Sequence, residues 1–369
     1  MQSKTFEILL TCAPGLEKTL ADEARAEAFD VQGQLTGGVT LQGSWQDVWR
    51  ANLTLRGTNS VLARIGSFPA SHLSELDKRA RKFEWGKWLR RDVPLRVSAS
   101  CRASRIYHSG AAQMRIENAL RDEFGATLND EANLEVMVRI ERNICTLSID
   151  TSGTLLHKRG LKQAMAKAPI RETVAALLLR QCAYRGDESL LDPMCGSGTF
   201  ILEAAEMARG LLPGRVRNFA FEHLPSFNAE QWQQMKTHTA RETKHRFFGF
   251  DRDAGAIKAA TANAERAGVQ SIAHFVQQSI AQLKRPDGPP GLVICNPPYG
   301  ARIGDVKKLG GLYASFGQVM LENFSAWRVG LVTNEASLAK ATGLPFQSPS
   351  GPILHGGIKI RLYQTPPLR

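Results

Sequence analysis

No stretch of the 369-residue chain approaches the roughly 18 consecutive apolar residues of a membrane-spanning helix, so nothing in the sequence predicts a membrane protein. A secretory signal is lacking too: the first apolar stretch, Ile8 to Leu10, is short and gives way to a polar helical pattern. Cysteine is sparse. The six residues (Cys12, Cys101, Cys145, Cys182, Cys195, Cys295) are scattered, with no CxxC pair to begin a zinc site or a redox motif. Reduced thiols, a cytoplasmic location and no bound metal are therefore expected. There is no internal repeat and no low-complexity tract. Acidic residues are in deficit, 35 Asp and Glu against 47 Lys and Arg, which leaves a formal charge of +12. The field of such a chain draws polyanions, nucleic acid first among them, provided the basic residues cluster rather than spread evenly.

A chain of this length exceeds what one hydrophobic core usually supports, so two or more units are expected. Residues 5–10 read as a strand, Pro14-Gly15 turns the chain into a helix over 16–28, and a strand at 37–42 and a helix at 44–52 follow. These elements are too short for a large parallel sheet and predict a small separate α+β unit over residues 1–55. A second α+β unit over 56–153 is predicted from a strand at 95–100, a helix at 111–124, and strands at 134–141 and 144–150 that meet in a hairpin turn at Arg142-Asn143. Residues 154–169, with His157, Lys158, Arg159, Lys162 and Lys167, show no clear apolar face and read as a linker. From Ile170 the pattern changes. Helices at 171–181, 199–209 and 254–267 alternate with strands at 189–191, 247–250, 292–295 and 329–333. Such alternation predicts, over 170–369, a parallel sheet covered by helices, with ligands outside the carboxyl ends of its strands.

The densest basic cluster lies between Leu73 and Arg91, where Lys78, Arg79, Arg81, Lys82, Lys87, Arg90 and Arg91 are interleaved with Phe83, Trp85 and Trp88. The cations suit phosphates, and the aromatic faces could stack on unpaired bases, which makes the segment a candidate RNA surface. An amphipathic helix with its aromatics in the core fits the same spacing.

Three loops carry candidate chemistry. The first, Asp192-Pro193-Met194-Cys195-Gly196-Ser197-Gly198-Thr199-Phe200, follows a strand and opens a helix. Its glycines allow a sharp turn and close approach of a ligand, and Asp192 offers a carboxylate to a cationic group. With no Walker lysine and an acid at its start, the loop suits a positively charged cofactor better than a phosphate, although a structural glycine turn would look similar. The second, Gly249-Phe250-Asp251-Arg252-Asp253, places Asp251 at a strand end where a carboxylate can accept two ribose hydroxyls, while Asp253 caps the next helix. The third, Asn296-Pro297-Pro298-Tyr299-Gly300, follows the apolar strand 292–295. The lone pair of a base amine is delocalised into the ring, so methylation requires the nitrogen to be drawn toward tetrahedral geometry. The Asn296 side-chain oxygen and the Pro297 carbonyl can each accept one amine hydrogen, the prolines stiffen the loop, and Tyr299 offers a stacking face.

At these motifs the chain resembles the Asn-Pro-Pro-Tyr amino methyltransferases. More narrowly, it is similar to the THUMP-domain guanine-N2 RNA methyltransferases, in particular those acting on bacterial large-subunit (23S) rRNA. The likeness also takes in Pro14-Gly15-Leu16-Glu17, Leu156-His157-Lys158-Arg159-Gly160 and Ala168-Pro169-Ile170-Arg171-Glu172-Thr173. The resemblance implies an α/β fold: a Rossmann-like class I methyltransferase domain preceded by an α+β ferredoxin-like segment and a THUMP domain. It also implies S-adenosyl-L-methionine as cofactor and a guanine of 23S rRNA, or of an assembling large subunit, as partner. It assigns Asp192, Met194, Gly196, Gly198 and Thr199 to the cofactor, Asp251 to its ribose, Thr173 to its carboxylate, and Asn296, Pro297 and Tyr299 to the target base. Where relatives often hold the adenine amine with an acid, this chain reads Val276-Gln277-Gln278-Ser279, which leaves Ser279 or Gln278 as acceptor. The second methyltransferase domain of some fused relatives is not expected. A tRNA guanine, a DNA adenine, and a non-catalytic RNA-binding assembly factor are the alternatives.

Overall fold

The computed structural model describes residues 5–162, 170–299 and 306–369. Its first unit comprises Met1–Cys12, Ala21–Leu156 and Arg217–Thr237, and its second Ala13–Leu20, His157–Val216 and His238–Arg369.

Up to residue 156 run β1 (Phe6–Thr11), α1 (Glu17–Ala26), whose first turn belongs to the second unit, β2 (Asp30–Leu35), β3 (Gly38–Gly43), α2 (Trp45–Thr54), β4 (Ser60–Pro69), α3 (Leu73–Arg81), β5 (Leu95–Arg102), α4 (Ser109–Ala119), β6 (Leu134–Glu141) and β7 (Ile144–Asp150). The β6–β7 hairpin turns where it was expected. Arg142 and Asn143 both adopt positive φ (50° and 62°), the backbone that matches a tight turn to the right-handed twist of its strands. Along β6 buried and more exposed residues alternate, and Val136, Val138 and Ile140 face the core.

The seven strands form one sheet in the order β2-β3-β1-β4-β7-β6-β5. β4 pairs with β1 on one side and β7 on the other, so the strands of residues 1–55 and 56–153 share this sheet. The sheet is thus continuous across residues 55 and 56. Residues 217–237, expected within the catalytic region, pack with the first unit. There Phe221 stacks on Phe219 (5.2 Å, 10° between planes) and meets Trp232 edge-on at 5.0 Å and Trp49 at 6.0 Å.

In the second unit, α5 (Glu172–Gln181), β8 (Leu190–Asp192) and α6 (Thr199–Ala208) come first. The chain then gives α7 (Ala229–Lys236) to the first unit and resumes with β9 (Phe247–Asp251), α8 (Ala254–Ala267), β10 (Ala273–Gln277), β11 (Leu292–Cys295), α9 (Val306–Asn323), β12 (Arg328–Thr333), α10 (Ala336–Ala341), β13 (Ile353–His355) and β14 (Ile358–Gln364). The order is β10-β9-β8-β11-β12-β14-β13, with the first five strands parallel and β14 antiparallel to β12. Strand order reverses between β8 and β11, and in sheets of this kind ligands bind at that switch point, beyond the carboxyl ends. The Pro14-Gly15 turn belongs to this unit as well: Gly15 has φ +99°, and a Cβ there would lie 2.2 Å from the Pro352 carbonyl oxygen. Only glycine fits.

Candidate active site

β8 delivers Asp192 to the switch point. The residue is 3 % exposed, and one carboxylate oxygen accepts the Met194 backbone N–H at 3.0 Å. Burial, and then the nearby Asp251 charge, push its pKa well above the ordinary carboxylate range. The loop that follows turns through Gly196 and Gly198, both at positive φ (51° and 85°), and Gly198 is the N-cap of α6. At the end of β9, Asp251 fastens this loop by accepting the Gly196 N–H at 2.9 Å through one oxygen and the Asp253 N–H at 2.9 Å through the other. The Cys195 N–H donates to the Phe250 carbonyl at 2.8 Å. Asp192 and Asp251, far apart in sequence, are thereby held at adjacent strand ends. Asp253 caps α8 as expected, accepting the Gly255 N–H at 2.7 Å.

Beyond β10, the Gln278 N–H donates to the Asp251 carbonyl at 2.9 Å, which brings the 278–279 turn to the same edge. The exposed Ser279 hydroxyl donates to Gln282 Oε1 at 3.3 Å, so its oxygen can still accept a hydrogen bond. Thr173 is buried in the first turn of α5. Met194 packs, half-buried, against the apolar cluster that also supports Tyr299. Thr199 is turned elsewhere: its hydroxyl accepts from Lys162 Nζ at 2.7 Å, and Lys162 also pairs with Glu172 at 3.2 Å. Arg159 and Glu203 form a buried ion pair at 3.1 Å. Within the expected linker, Arg159 and Lys162 are therefore anchored to α5 and α6; residues 163–169, including Lys167 and Pro169, lie outside the described residues.

β11 is fully buried and leads into Asn296. The Asn296 Oδ1 is buried and has no hydrogen-bond partner among the described residues. An unsatisfied buried amide oxygen costs about 1–3 kcal/mol, which marks it as an acceptor awaiting a donor. The loop is held from below by Tyr313 of α9, whose hydroxyl donates to the Pro298 carbonyl at 3.2 Å. Pro297 is buried, and burial pushes the half-buried Tyr299 phenol up to about 12. Gly300 lies outside the described residues.

The basic segment is arranged otherwise than its composition implied. Arg79 pairs with Glu75 (3.4 Å), Arg81 with Asp77, Asp122 and Glu123 (2.9, 3.0 and 2.8 Å), Lys87 with Glu84, and Arg90 with Asp92 (2.5 Å). Arg91 sits 5.6 Å over the Phe124 ring, while Lys78 and Lys82 are exposed. The aromatics belong to the interior rather than to a stacking platform. Trp85 is 2 % exposed, with its indole N–H donating to the Ala80 carbonyl; Phe83 packs on it at 4.6 Å, and Trp88 meets Phe6 and Trp45.

A different surface of the first unit went unnoticed in the sequence. Tyr107 is 85 % exposed, and Arg102, Arg105, His108 and Arg142 around it are exposed as well. This loop is fixed to the hairpin turn: Arg105 N–H donates to Asn143 Oδ1 at 2.8 Å, Asn143 N–H to Ser104 Oγ at 3.0 Å, and Ile106 is buried beneath it. Its cations come from two separate stretches of chain, so no local count of charge reveals them.

Among the described residues no helix is long and apolar enough to cross a membrane. Residues 159–348 match a family model described as RMKL-like, methyltransferase domain; residues 7–62 match the RlmL ferredoxin-like domain and residues 70–150 the THUMP domain. A ribosomal RNA large subunit methyltransferase K/L of Syntrophotalea carbinolica is 33% identical over 362 residues, covering 92% of this chain and 50% of that protein. The chain thus spans about half the length of that relative. A putative RNA methyltransferase of Synechocystis is 29% identical, covering 95% of this chain and 94% of its own. A solved putative methyltransferase complexed with SAH superimposes over 100% of both chains, with a TM-score of 0.89 and 27% identity.

Proposed function

This chain belongs to the RMKL-like methyltransferase family, and from that premise we propose that it methylates the N2 amine of a guanine in large-subunit (23S) ribosomal RNA, using S-adenosyl-L-methionine, in the cytoplasm. The observation that carries the reading is the buried, unsatisfied Asn296 oxygen beside a stiff Pro-Pro-Tyr loop at the switch point of a parallel sheet.

The residues present fit the cofactor. Asp192 is a carboxylate buried where it lacks water, and a cationic ammonium against it would restore the ionised form. Gly196 and Gly198 turn the loop through positive φ; Met194 and Thr173 are the further residues assigned to the cofactor, Asp251 stands at the β9 end for the ribose hydroxyls, and Ser279 supplies an acceptor for the adenine amine. Thr199 supports the site through Lys162. When bound, the cofactor supplies an electrophilic methyl group on a sulfonium.

Asn296 and the Pro297 carbonyl accept the two hydrogens of the base amine, which takes its lone pair out of the ring and aims it. Tyr299, whose phenol stays neutral because burial raises it to about 12, offers a stacking face and not a base. The methylated amine is acidic in its cationic state and gives its proton to water. RNA is engaged by the rigid basic surface around Tyr107, with exposed Lys78 and Lys82 adding charge.

The test is nucleoside analysis of rRNA and tRNA from a deletion strain complemented with wild type or Asn296→Ala. N2-methylguanosine should vanish from 23S rRNA in the deletion and return only with wild type. Its loss from tRNA instead, or full rescue by Asn296→Ala, would refute the proposal.

A further inference from the structure

Asn296 is not alone in carrying a buried unsatisfied oxygen at this edge of the sheet. Asn334 Oδ1 is also buried and without a hydrogen-bond partner among the described residues. It follows β12, and β12 is the parallel neighbour of β11, with Leu331 opposite Cys295. Carrying that register past the last pair sets Val332 beside Asn296 and Asn334 beside Pro298. With strands about 4.8 Å apart and about 3.3 Å of rise per residue, that register would set the two asparagine backbones about 8 Å from each other, a separation that two side chains can span to meet one purine edge.

Each of the two loops is also held from the core. The Tyr313 hydroxyl donates to the Pro298 carbonyl at 3.2 Å, and Tyr313 is 1 % exposed. At the end of β12 the buried Thr333 accepts the Glu335 N–H through Oγ1 at 3.2 Å. Neither bond engages the Asn296 or the Asn334 amide oxygen.

We propose that Asn334 is a second base-contacting residue, accepting the ring N1–H of the guanine whose N2 amine is held by Asn296. This rests on the guanine reading above. The chemistry of the purine edge gives the reason. Guanine presents N1–H and the N2 amine side by side, both donors, and adjacent acceptors match them; adenine has a bare N1, an acceptor, which would face the Asn334 oxygen unfavourably. A buried acceptor left unpaired by the wrong base is a strong source of discrimination.

The experiment compares the full chain with its Asn334→Ala and Asn334→Asp variants on unmodified 23S rRNA transcribed in vitro, with nucleosides of the product quantified by mass spectrometry. Calorimetric affinity for S-adenosylmethionine and thermal melting are recorded alongside. Asn334→Ala is expected to lower kcat/KM by about 10- to 100-fold, the loss of one buried hydrogen bond, with cofactor affinity unchanged. Asn334→Asp keeps the acceptor and the shape and should stay within about five-fold of wild type, a rescue that a packing role would not give. If wild type forms N2-methylguanosine and Asn334→Ala matches it, the inference is wrong while the function stands. Loss of activity in both variants, or a parallel loss of cofactor affinity, also overturns it. A wild type that forms no N2-methylguanosine overturns the function and the inference together.

Discussion

Phe221 stands between α6 and β9 in the sequence, yet its ring lies in the core of the first unit, so Phe221→Ala should weaken that unit and spare the one bearing Asp192 and Asn296. The ring is fully buried and touches Phe219, Phe227, Trp232 and Trp49 at 5.2, 6.0, 5.0 and 6.0 Å. Truncating a buried phenylalanine costs about 3–5 kcal/mol, and four aromatic neighbours left facing a void place this site toward the upper end. For a unit of this size, each kcal/mol lowers the melting temperature by roughly 2–4 °C, so a drop of roughly 10–15 °C is expected. Calorimetry with and without S-adenosylmethionine identifies the transition that belongs to the cofactor-binding unit, and limited proteolysis locates the newly exposed chain. A fall in the ligand-sensitive transition, or cleavage appearing first in 170–216 rather than within 21–156 or 217–237, would refute this placement of Phe221.

Two further outcomes follow from the first unit. Asp150 is 6 % exposed, and burial, then the charge of Glu135, raise its carboxyl from 3.8 to about 6. Because the folded pKa is raised, the stability it contributes is complete below pH about 4 and is lost as pH rises through 6; the shift corresponds to about 3 kcal/mol. Asp150→Asn can still accept the Ser152 N–H and should flatten this dependence, so urea unfolding at pH 4.5 and 7.5 should show a smaller difference than in wild type. At the proposed RNA surface, Arg105→Glu with Tyr107→Ala should weaken binding of an rRNA fragment by about 100-fold and reduce its salt dependence, whereas Arg79→Ala, which loses a surface pair with Glu75, should change it less than about three-fold in a filter-binding assay. Equal effects would return the RNA surface to the 78–91 segment.

The parts of this architecture legible in the sequence are those written locally. The β6–β7 hairpin announces itself through alternation and its Arg142-Asn143 turn, and β8, β9 and β11 through short apolar runs ending in polar residues. β4 gave no such signal, since its first half is buried on both faces and loses the alternation that marks a half-exposed strand. β2 was missed for the opposite reason: it is an edge strand with a register shift between Val31 and Gly33 and few buried residues. In the candidate site, residue type and order singled out Asp192, Asp251 and Asn296, whereas Asn334 carries no motif and comes into view only because β12, which it follows, pairs with β11. For the basic segment, charge was visible but its cancellation was not, because Asp122 and Glu123 meet Arg81 from a distant stretch of chain.

The interleaving of the two units has a consequence for biosynthesis. As the chain leaves the ribosome, the sheet from β1 to β7 is complete by Asp150, but the aromatic cluster around Trp49 waits for Phe221 and Trp232. At ordinary elongation rates that wait is on the order of several seconds. The turn at Pro14 waits longer still, until Leu354, whose N–H donates to its carbonyl, has been made. A nascent chain therefore exposes the aromatic surface around Trp49 until Phe221 and Trp232 emerge, and leaves the Pro14 turn without its Leu354 bond for longer.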